Sequence, residues 1–438
     1  MTVSFYTLGC KVNQYESQAM AELFAAAGYE LAVTGGEADI YVINSCTVTA
    51  ESDRKTRQAV RRFKRLHPRS VVVLAGCMPQ AYSETAGDLP EADIVTGNKD
   101  HAGILKLLEG YFACGERTVR VLPHQSGEPF ESAGITGFSE RTRAVVKIED
   151  GCDRFCSYCI IPYARGRVRS KPLSELKAEL GRLEAAGFAE IVLVGINLSA
   201  YGSDTGHSLF DAAALACSFE DIQRVRLGSL EPDLMTGETV TSLRSLTKLC
   251  PHFHLSLQSG CDKTLRDMNR HYTTAQYKAL CDTLRGAFQD CSITTDIMVG
   301  FPGESEEDFL ESIESVRKIG FEKVHVFPYS PRPGTKAASM KPQIPKAVKE
   351  ERARRMTAAA QEIRTSFLEK QIGKTLEVLV EEHSAGGNAR GYTPNYTPVQ
   401  ITGEAPVGGV CRVKITGAEE DWCVGERLPL SHLRCQLP

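Results

Sequence analysis

The chain has 438 residues, with 51 Lys and Arg against 55 Asp and Glu for a net charge of −4, and is 42% hydrophobic and 24% charged. That is the make-up of a folded chain of about three domains, and it excludes disordered, collagenous and coiled-coil chains as well as gross electrostatic adhesion to nucleic acid. No run of about 18 apolar residues marks a membrane span and MTVSFYTLGCKVNQ carries no secretory leader, so a cytoplasmic protein is expected, in which 15 Cys point to metal or redox chemistry rather than disulfides.

Residues 1 to about 110 alternate β-rich runs (VSFYTL, ADIYVIN, SVVVLA) with helical sequence such as NQYESQAMAELFAAAGY and SDRKTRQAVRRFKRLH, the pattern of a parallel sheet. Glycine, proline and polar residues from about 110 to 140 break the pattern and read as a linker. From about 142 to 330, strands are predicted at 144–149, 190–195, 224–228, 253–258, 294–299 and 323–327, with amphipathic stretches between them. Six β/α repeats suit a partial or complete β/α barrel, with its chemistry at the C-terminal strand ends, and an alternating open sheet is the rival topology. A charged helical run from about 345 to 370 leads into short strands at 375–381, 399–402, 410–415 and 422–424, a small all-β module. The fold class is thus α/β with a small all-β tail, and the expected domains span 1–120, 138–368 and 371–438.

The motif GCDRFCSYC sets Cys152, Cys156 and Cys159 as C-x3-C-x2-C just after the first predicted barrel strand. Structural zinc, the alternative, usually takes four protein ligands, whereas three thiolates leave one iron of a 4Fe-4S cluster open to a small molecule. In the first segment Cys10 follows FYTLG, Cys46 follows YVINS and Cys77 follows VVVLAG, so each lies just beyond the C-terminal end of a predicted strand. Those ends face one crevice in a parallel sheet; against this stands the common burial of free Cys as a small hydrophobe. Cys114, Cys217, Cys250, Cys261, Cys281, Cys291, Cys411, Cys423 and Cys435 carry no comparable motif and read as structural or incidental.

C-x3-C-x2-C with Tyr158 beside its last Cys resembles the signature of the radical S-adenosylmethionine (SAM) superfamily. The resemblance implies that the open iron chelates SAM and that an electron from the cluster cleaves it to a 5′-deoxyadenosyl radical that abstracts hydrogen. TLGCKVNQYES, INSCTVTAESDRKTRQ and AGCMPQ are similar to the N-terminal domain of the methylthiotransferases, and the β tail resembles a TRAM domain, so the likeness covers nearly the whole chain. It implies an enzyme with two 4Fe-4S clusters and SAM as cofactors, the radical cluster on Cys152, Cys156 and Cys159 and an auxiliary, sulfur-supplying cluster on Cys10, Cys46 and Cys77. It also implies a tRNA substrate met at its anticodon loop. The expected electron donor is a reductant protein such as a flavodoxin or ferredoxin, and the expected state is a monomer away from membranes.

Lys11, Val12 and Asn13, with CIIPYARGRVRS, look most like the branch that makes 2-methylthio-N6-threonylcarbamoyladenosine at tRNA position 37; Lys171 and Gly228 stand where that branch usually has Arg and Ser. Sibling branches modify isopentenyladenosine or a ribosomal-protein aspartate, and a non-catalytic iron-sulfur RNA-binding protein is the alternative of another class.

Bound SAM needs polar partners at strand ends, and the candidates are Gly195 and Asn197, Ser229 and Glu231, Ser256 and Gln258, and Arg266 on the next helix. Gly300, in DIMVGFPGE, resembles the superfamily's segment that packs on adenine. Capping of the next helix is the competing role for each polar residue. RKTRQAVRRFKRLHPR, residues 54–69, holds eight Lys or Arg and no acid, so Arg54, Lys55, Arg57, Arg61 and Arg62 are candidate phosphate contacts. Arg165, Arg167, Arg169 and Lys171 add cations after the radical motif. In the tail six Lys/Arg meet eight Asp/Glu from residue 371 on, so stacking by Tyr392, Tyr396 and Trp422 would have to serve RNA there.

Overall fold

The computed structural model describes residues 1–131, 134–138, 142–384 and 386–429, so Cys435 lies outside the described residues. In the N-terminal third six strands pair in parallel in the order Glu30–Leu31, Thr2–Thr7, Ile40–Ser45, Val71–Gly76, Ile94–Thr96 and Thr118–Arg120. Ile40–Ser45 and Val71–Gly76 are buried at every position, because apolar clusters cover both faces of this sheet. The helix Ala50–Leu66 turns Thr56, Ala59, Val60 and Phe63 inward at three- and four-residue spacing. Its start is fixed by the Thr49 hydroxyl, which accepts the Ser52 N–H at 3.1 Å.

All six strands expected in the middle third are present. Arg143–Lys147, Glu190–Val194 and Arg224–Leu227 form one parallel sheet, and Ser229–Leu230, His252–Leu255, Ser292–Val299 and Lys323–Pro328 form the next. The two meet at Gly228. Strands that follow one another without reversal belong to a β/α barrel, not to a doubly wound open sheet. Among the described residues no pairing closes Lys323–Pro328 onto Arg143–Lys147, so the barrel is partial.

The helix Lys346–Glu369 leads into a closed barrel of Thr375–His383, Ala389–Tyr392, Pro398–Thr402, Cys423–Arg427 and Val410–Ala418. Sequence reading missed Ala389–Tyr392 in this barrel and the short strands Glu30–Leu31, Ile94–Thr96 and Thr118–Arg120 in the N-terminal sheet, the last lying in the stretch expected as a linker. Among the described residues no helix is long and apolar enough to cross a membrane.

The three parts are docked. Val12, Tyr15 and Ala19 of the helix Lys11–Ala26 enter the apolar cluster of the central barrel, and the Tyr15 hydroxyl donates to Glu179 at 2.9 Å. At the other end, Arg226 Nη1 donates to the Pro394 carbonyl at 2.9 Å and Arg143 pairs with Glu381 at 2.7 Å, seating the loop 393–397 on the N-terminal strand ends.

Candidate active site

Each auxiliary-site Cys sits where its strand stops. Cys10 follows Thr2–Thr7 and begins the helix Lys11–Ala26, Cys46 follows Ile40–Ser45, and Cys77 opens the short helix Cys77–Ala81 directly after Val71–Gly76. The backbone turns sharply at Gly76, whose φ of +96° and closed surroundings, 2.6 Å from the Ser45 backbone to a would-be Cβ, admit only glycine. The three thiols lie close together: a Cβ on Gly9 would stand 3.2 Å from Cys46 Sγ, and the charges of Cys10 and Cys46 act on Cys77. Asn13 ties them, accepting from the Cys10 thiol at 3.4 Å and donating to the Ser45 carbonyl at 2.9 Å.

Cys152, Cys156 and Cys159 share a loop after Glu149–Asp150 and likewise act on one another electrostatically. The side chain that reaches this triad is Arg270, which sequence reading missed. Its Nη1 donates to Cys156 Sγ at 3.3 Å and its Nη2 to the Ser256 carbonyl at 2.9 Å, while Glu231 pairs with it at 2.7 Å. Arg266, the expected cation, is exposed on the helix Asp262–Asp267, one turn before the residue that turns inward. Its proximity in sequence to Arg270 was the available signal.

Around the loop, the backbone N–H of Asn197 donates to Glu149 at 2.7 Å and the Ser199 hydroxyl accepts from Glu231 N at 2.8 Å, linking three strand ends. A Cβ on Gly195 would meet the same Glu149 carboxylate at 2.5 Å. One oxygen of Glu149 and the Asn197 side-chain oxygen are buried without a partner among the described residues. Burial holds the Glu149 carboxyl well above its usual range. Gln258 adopts φ +68° and locks its backbone to Asp296 and Met298 at 2.8 Å, while Ser229 is exposed. Tyr158 packs against Met268, Phe301 and Tyr329. Gly300 donates its N–H to Glu304 at 2.7 Å and abuts the Lys349 stem.

Several cations expected on the surface are inside. Arg165 is fully buried, with Nη1 2.7 Å from Glu16 and 3.1 Å from Asp150. Arg169 is 6% exposed and pairs with Glu128 at 3.2 Å and Asp150 at 3.4 Å; Lys171 is 1% exposed, pairs with Glu179 and donates to Tyr15 at 3.1 Å. Buried acids from other segments claim all three, so they are removed from the list of RNA contacts. Arg167 stays on the surface, over the Phe155 ring. On the helix Ala50–Leu66, Arg54, Lys55, Arg61 and Arg62 are exposed and Arg57 half-buried. Acids outside the run temper that face: Glu51 holds Arg54 at 2.5 Å and Glu91 holds Arg61 at 3.3 Å. Tyr392 and Tyr396 stack on each other at 4.7 Å, and Tyr396 also lies 4.8 Å from His252, so these rings serve the domain contact.

The donor sets fit iron-sulfur clusters. Each triad supplies three thiolates, the ligands that such clusters take, with a buried guanidinium beside one sulfur of each, Arg165 at Cys77 and Arg270 at Cys156, to offset the charge. Among the described residues no group of three or more His, Cys, Asp or Glu is gathered as for a single metal ion.

Three family profiles match along the chain: Uncharacterized protein family UPF0004 at residues 2–97, the Radical SAM superfamily at 146–316 and the TRAM domain at 369–422. Over 95% of the chain, the sequence is 40% identical to the whole of the threonylcarbamoyladenosine tRNA methylthiotransferase MtaB of Aquifex aeolicus. The chain belongs to the radical SAM methylthiotransferase family. A second methylthiotransferase, MtaB of Bacillus subtilis, is 37% identical across 95% of the chain and 94% of its own length. The tRNA-2-methylthio-N(6)-dimethylallyladenosine synthase of Caldicellulosiruptor saccharolyticus is 35% identical across 97% and 92%. The radical SAM methyltransferase TsrM of Kitasatospora setae, 14% identical, superposes with a TM-score of 0.55 over 77% of each chain, a likeness of fold. As a radical SAM methylthiotransferase the chain is an enzyme that works with SAM and two 4Fe-4S clusters.

Proposed function

We propose that this enzyme converts N6-threonylcarbamoyladenosine at position 37 of tRNA to its 2-methylthio form, with Cys152, Cys156 and Cys159 holding the radical cluster and Cys10, Cys46 and Cys77 the auxiliary cluster. One observation carries the reading: a single short helix joins the two triads. Ile161–Arg165 begins two residues after Cys159 and ends on Arg165, whose Nε donates to Cys77 Sγ at 3.3 Å. Five residues rise about 7.5 Å, and so short a link supports the reading that both sets of thiols serve one substrate. When bound, the clusters and SAM supply the radical and the sulfur that replace an adenine C2–H bond resistant to polar substitution.

The chain's own residues do the rest. Arg270 fixes Glu231 and the Ser256 carbonyl beside Cys156, the unpartnered oxygen of Asn197 offers an acceptor for the amine or hydroxyls of SAM, and the Glu149 carboxyl, kept protonated by burial, offers a hydroxyl. Lys11, next to Cys10, lines a cavity of about 590 Å³ together with Ser229, His254, Asp296 and His325, a volume suited to a modified nucleobase. Arg54, Lys55, Arg57, Arg61, Arg62 and Arg167 are the cations placed to meet tRNA phosphates near the anticodon loop. Three relatives named for threonylcarbamoyladenosine, at 40%, 37% and 36%, exceed the 34–35% of the dimethylallyladenosine synthases, which supports that branch, while two others of that name stand at 33% and 30%. A one-electron reductant protein of the flavodoxin or ferredoxin kind, a monomeric state and a cytoplasmic setting complete the reading.

The test compares tRNA nucleosides by mass spectrometry in a strain lacking the gene and in the complemented strain. The 2-methylthio-N6-threonylcarbamoyladenosine should vanish and return, with isopentenyl-derived nucleosides unchanged. Loss of the isopentenyl-derived methylthio nucleoside instead would move the enzyme to the sibling branch.

A further inference from the structure

Arg165 belongs to the radical SAM segment, yet most of its contacts are with the N-terminal domain. The side chain is fully buried and all five of its N–H groups are used. Nε reaches Cys77 Sγ at 3.3 Å, Nη1 reaches Glu16 at 2.7 Å and Asp150 at 3.1 Å, and Nη2 reaches Asn13 and Glu16 at 3.0 Å each. Asn13 is also the residue that accepts from the Cys10 thiol and braces the Ser45 carbonyl beside Cys46. One guanidinium therefore touches one auxiliary thiol directly, a second through Asn13, and through the same residue the backbone that precedes the third. Two carboxylates offset its buried charge, so those contacts alone would make it domain glue. The contact with sulfur adds something else, because hydrogen bonds to cluster sulfurs set reduction potential.

We propose that Arg165 is a positioning residue that holds the Cys77 thiolate and, through its N–H···S bond, sets the potential of the auxiliary cluster separately from the radical cluster, whose Cys156 takes the matching bond from Arg270. The inference rests on the two-cluster reading above. Both guanidinium-to-sulfur distances are 3.3 Å, and Arg165 and Arg270 approach different triads from different segments. Arg169 supplies the internal comparison. It is buried in the same network, pairing with Glu128 and Asp150, but its recorded bonds go to carboxylates and carbonyls and none to sulfur.

The experiment is an EPR-monitored redox titration of the full-length, anaerobically reconstituted protein, after iron and sulfide have been counted. Arg165→Lys keeps a cation beside Glu16 and Asp150 but cannot span the fork that also serves the thiol. It should lower the midpoint of the auxiliary signal, since a thiolate without its donor pushes more charge onto iron, and leave the radical signal in place. Arg270→Lys should do the reverse, and Arg169→Lys should move neither. A fully loaded Arg165→Lys with an unmoved auxiliary midpoint, or an equal displacement in Arg169→Lys, overturns the proposal. Wild-type protein labelled with 15N in its arginine side chains tests the contact without any substitution: a nitrogen coupling on the auxiliary signal is expected, and its absence overturns the proposal. Wild-type protein that loads one cluster only would instead refute the two-cluster reading, and the iron count reveals this before any variant is compared.

Discussion

At the scale of the residue, chemistry was legible where it is written in adjacent positions and hidden where it depends on long-range contact. C-x3-C-x2-C and a Cys directly after each of three β-rich runs, twice as Gly-Cys, announce six thiols, because the strand must stop and turn there. Arg270 meets Cys156 from 114 residues away, and nothing local separates it from Arg266. Counting Arg165, Arg169 and Lys171 as surface cations failed for the same reason, since Glu16, Glu128 and Glu179 come from other segments. Glu149 yields a prediction of its own. Burial raises its carboxyl far above the 4.5 of an exposed glutamate, so the folded state holds a proton that the unfolded chain releases. Its contribution is complete below about pH 4.5 and drains away as pH rises toward the folded value, at about 1.4 kcal/mol for every tenfold difference in proton affinity. Glu149→Gln mimics the protonated form and keeps the acceptor for Asn197 N–H. It should raise the denaturation midpoint at pH 8 and bring no gain near pH 4.5; an unfolding series across that range checks both ends.

At the scale of the element, β-rich runs and their spacing located the strands that end at Cys10, Cys46 and Cys77 and the six long strands of the central barrel, with boundaries within a few positions, but not the two-residue strands Arg169–Ser170 and Ser229–Leu230. The strand Ala389–Tyr392 escaped because ARGY has one large apolar residue and a glycine, and Gly391 is there for a close crossing rather than for β-propensity. A Cβ on it would strike the Leu379 carbonyl. Gly76 plays the corresponding role for Cys77, and its φ of +96° with ψ of −156° is a glycine conformation. Gly76→Ala should destabilise the N-terminal domain by about 3 kcal/mol or more and lower iron loading, measured by urea unfolding and iron content. The linker is held by charge. Burial pushes Glu128 up, but bonds from Lys99 at 2.5 Å, from His124 and from Gln125 N–H outweigh it and bring the carboxyl down to about 2. A lowered acid stabilises above its ordinary value and loses that stabilisation as pH falls, so the linker should come free between about pH 4.5 and 2. Glu128→Gln should release it at neutral pH, seen as faster amide exchange over residues 121–128.

At the scale of the whole molecule, composition gave no sign of how the three parts meet, and the stretch read as a linker from about residue 110 carries the last strand of the N-terminal sheet, Thr118–Arg120. Two buried interfaces decide that arrangement. The first helix of the N-terminal domain packs into the core of the barrel and carries Cys10 with it. The loop 393–397 of the small barrel closes on Arg226, which pairs with Glu190 at 2.9 Å and lies 4.7 Å from the Tyr396 ring. Arg226→Met leaves Glu190 short of a partner and should cost about 3–5 kcal/mol, with amide exchange rising first over residues 392–398. Of the aromatic rings expected to stack on RNA, Tyr396 packs on Arg226 and His252 at this seam and Tyr392 on Tyr396, while all three rings, Trp422 included, also line the cavity that holds Lys11 and His254. The core of the proposal is that two thiol triads, held by separate domains, have separate jobs. Counting SAM cleavage and methylthio product in the same reactions, with threonylcarbamoyl-bearing tRNA and a chemical reductant, tests it most directly. Wild type should give both, Cys10→Ala should cleave SAM but make no methylthio nucleoside, and Cys152→Ala should do neither; equal loss of SAM cleavage in the two variants would contradict the division of labour.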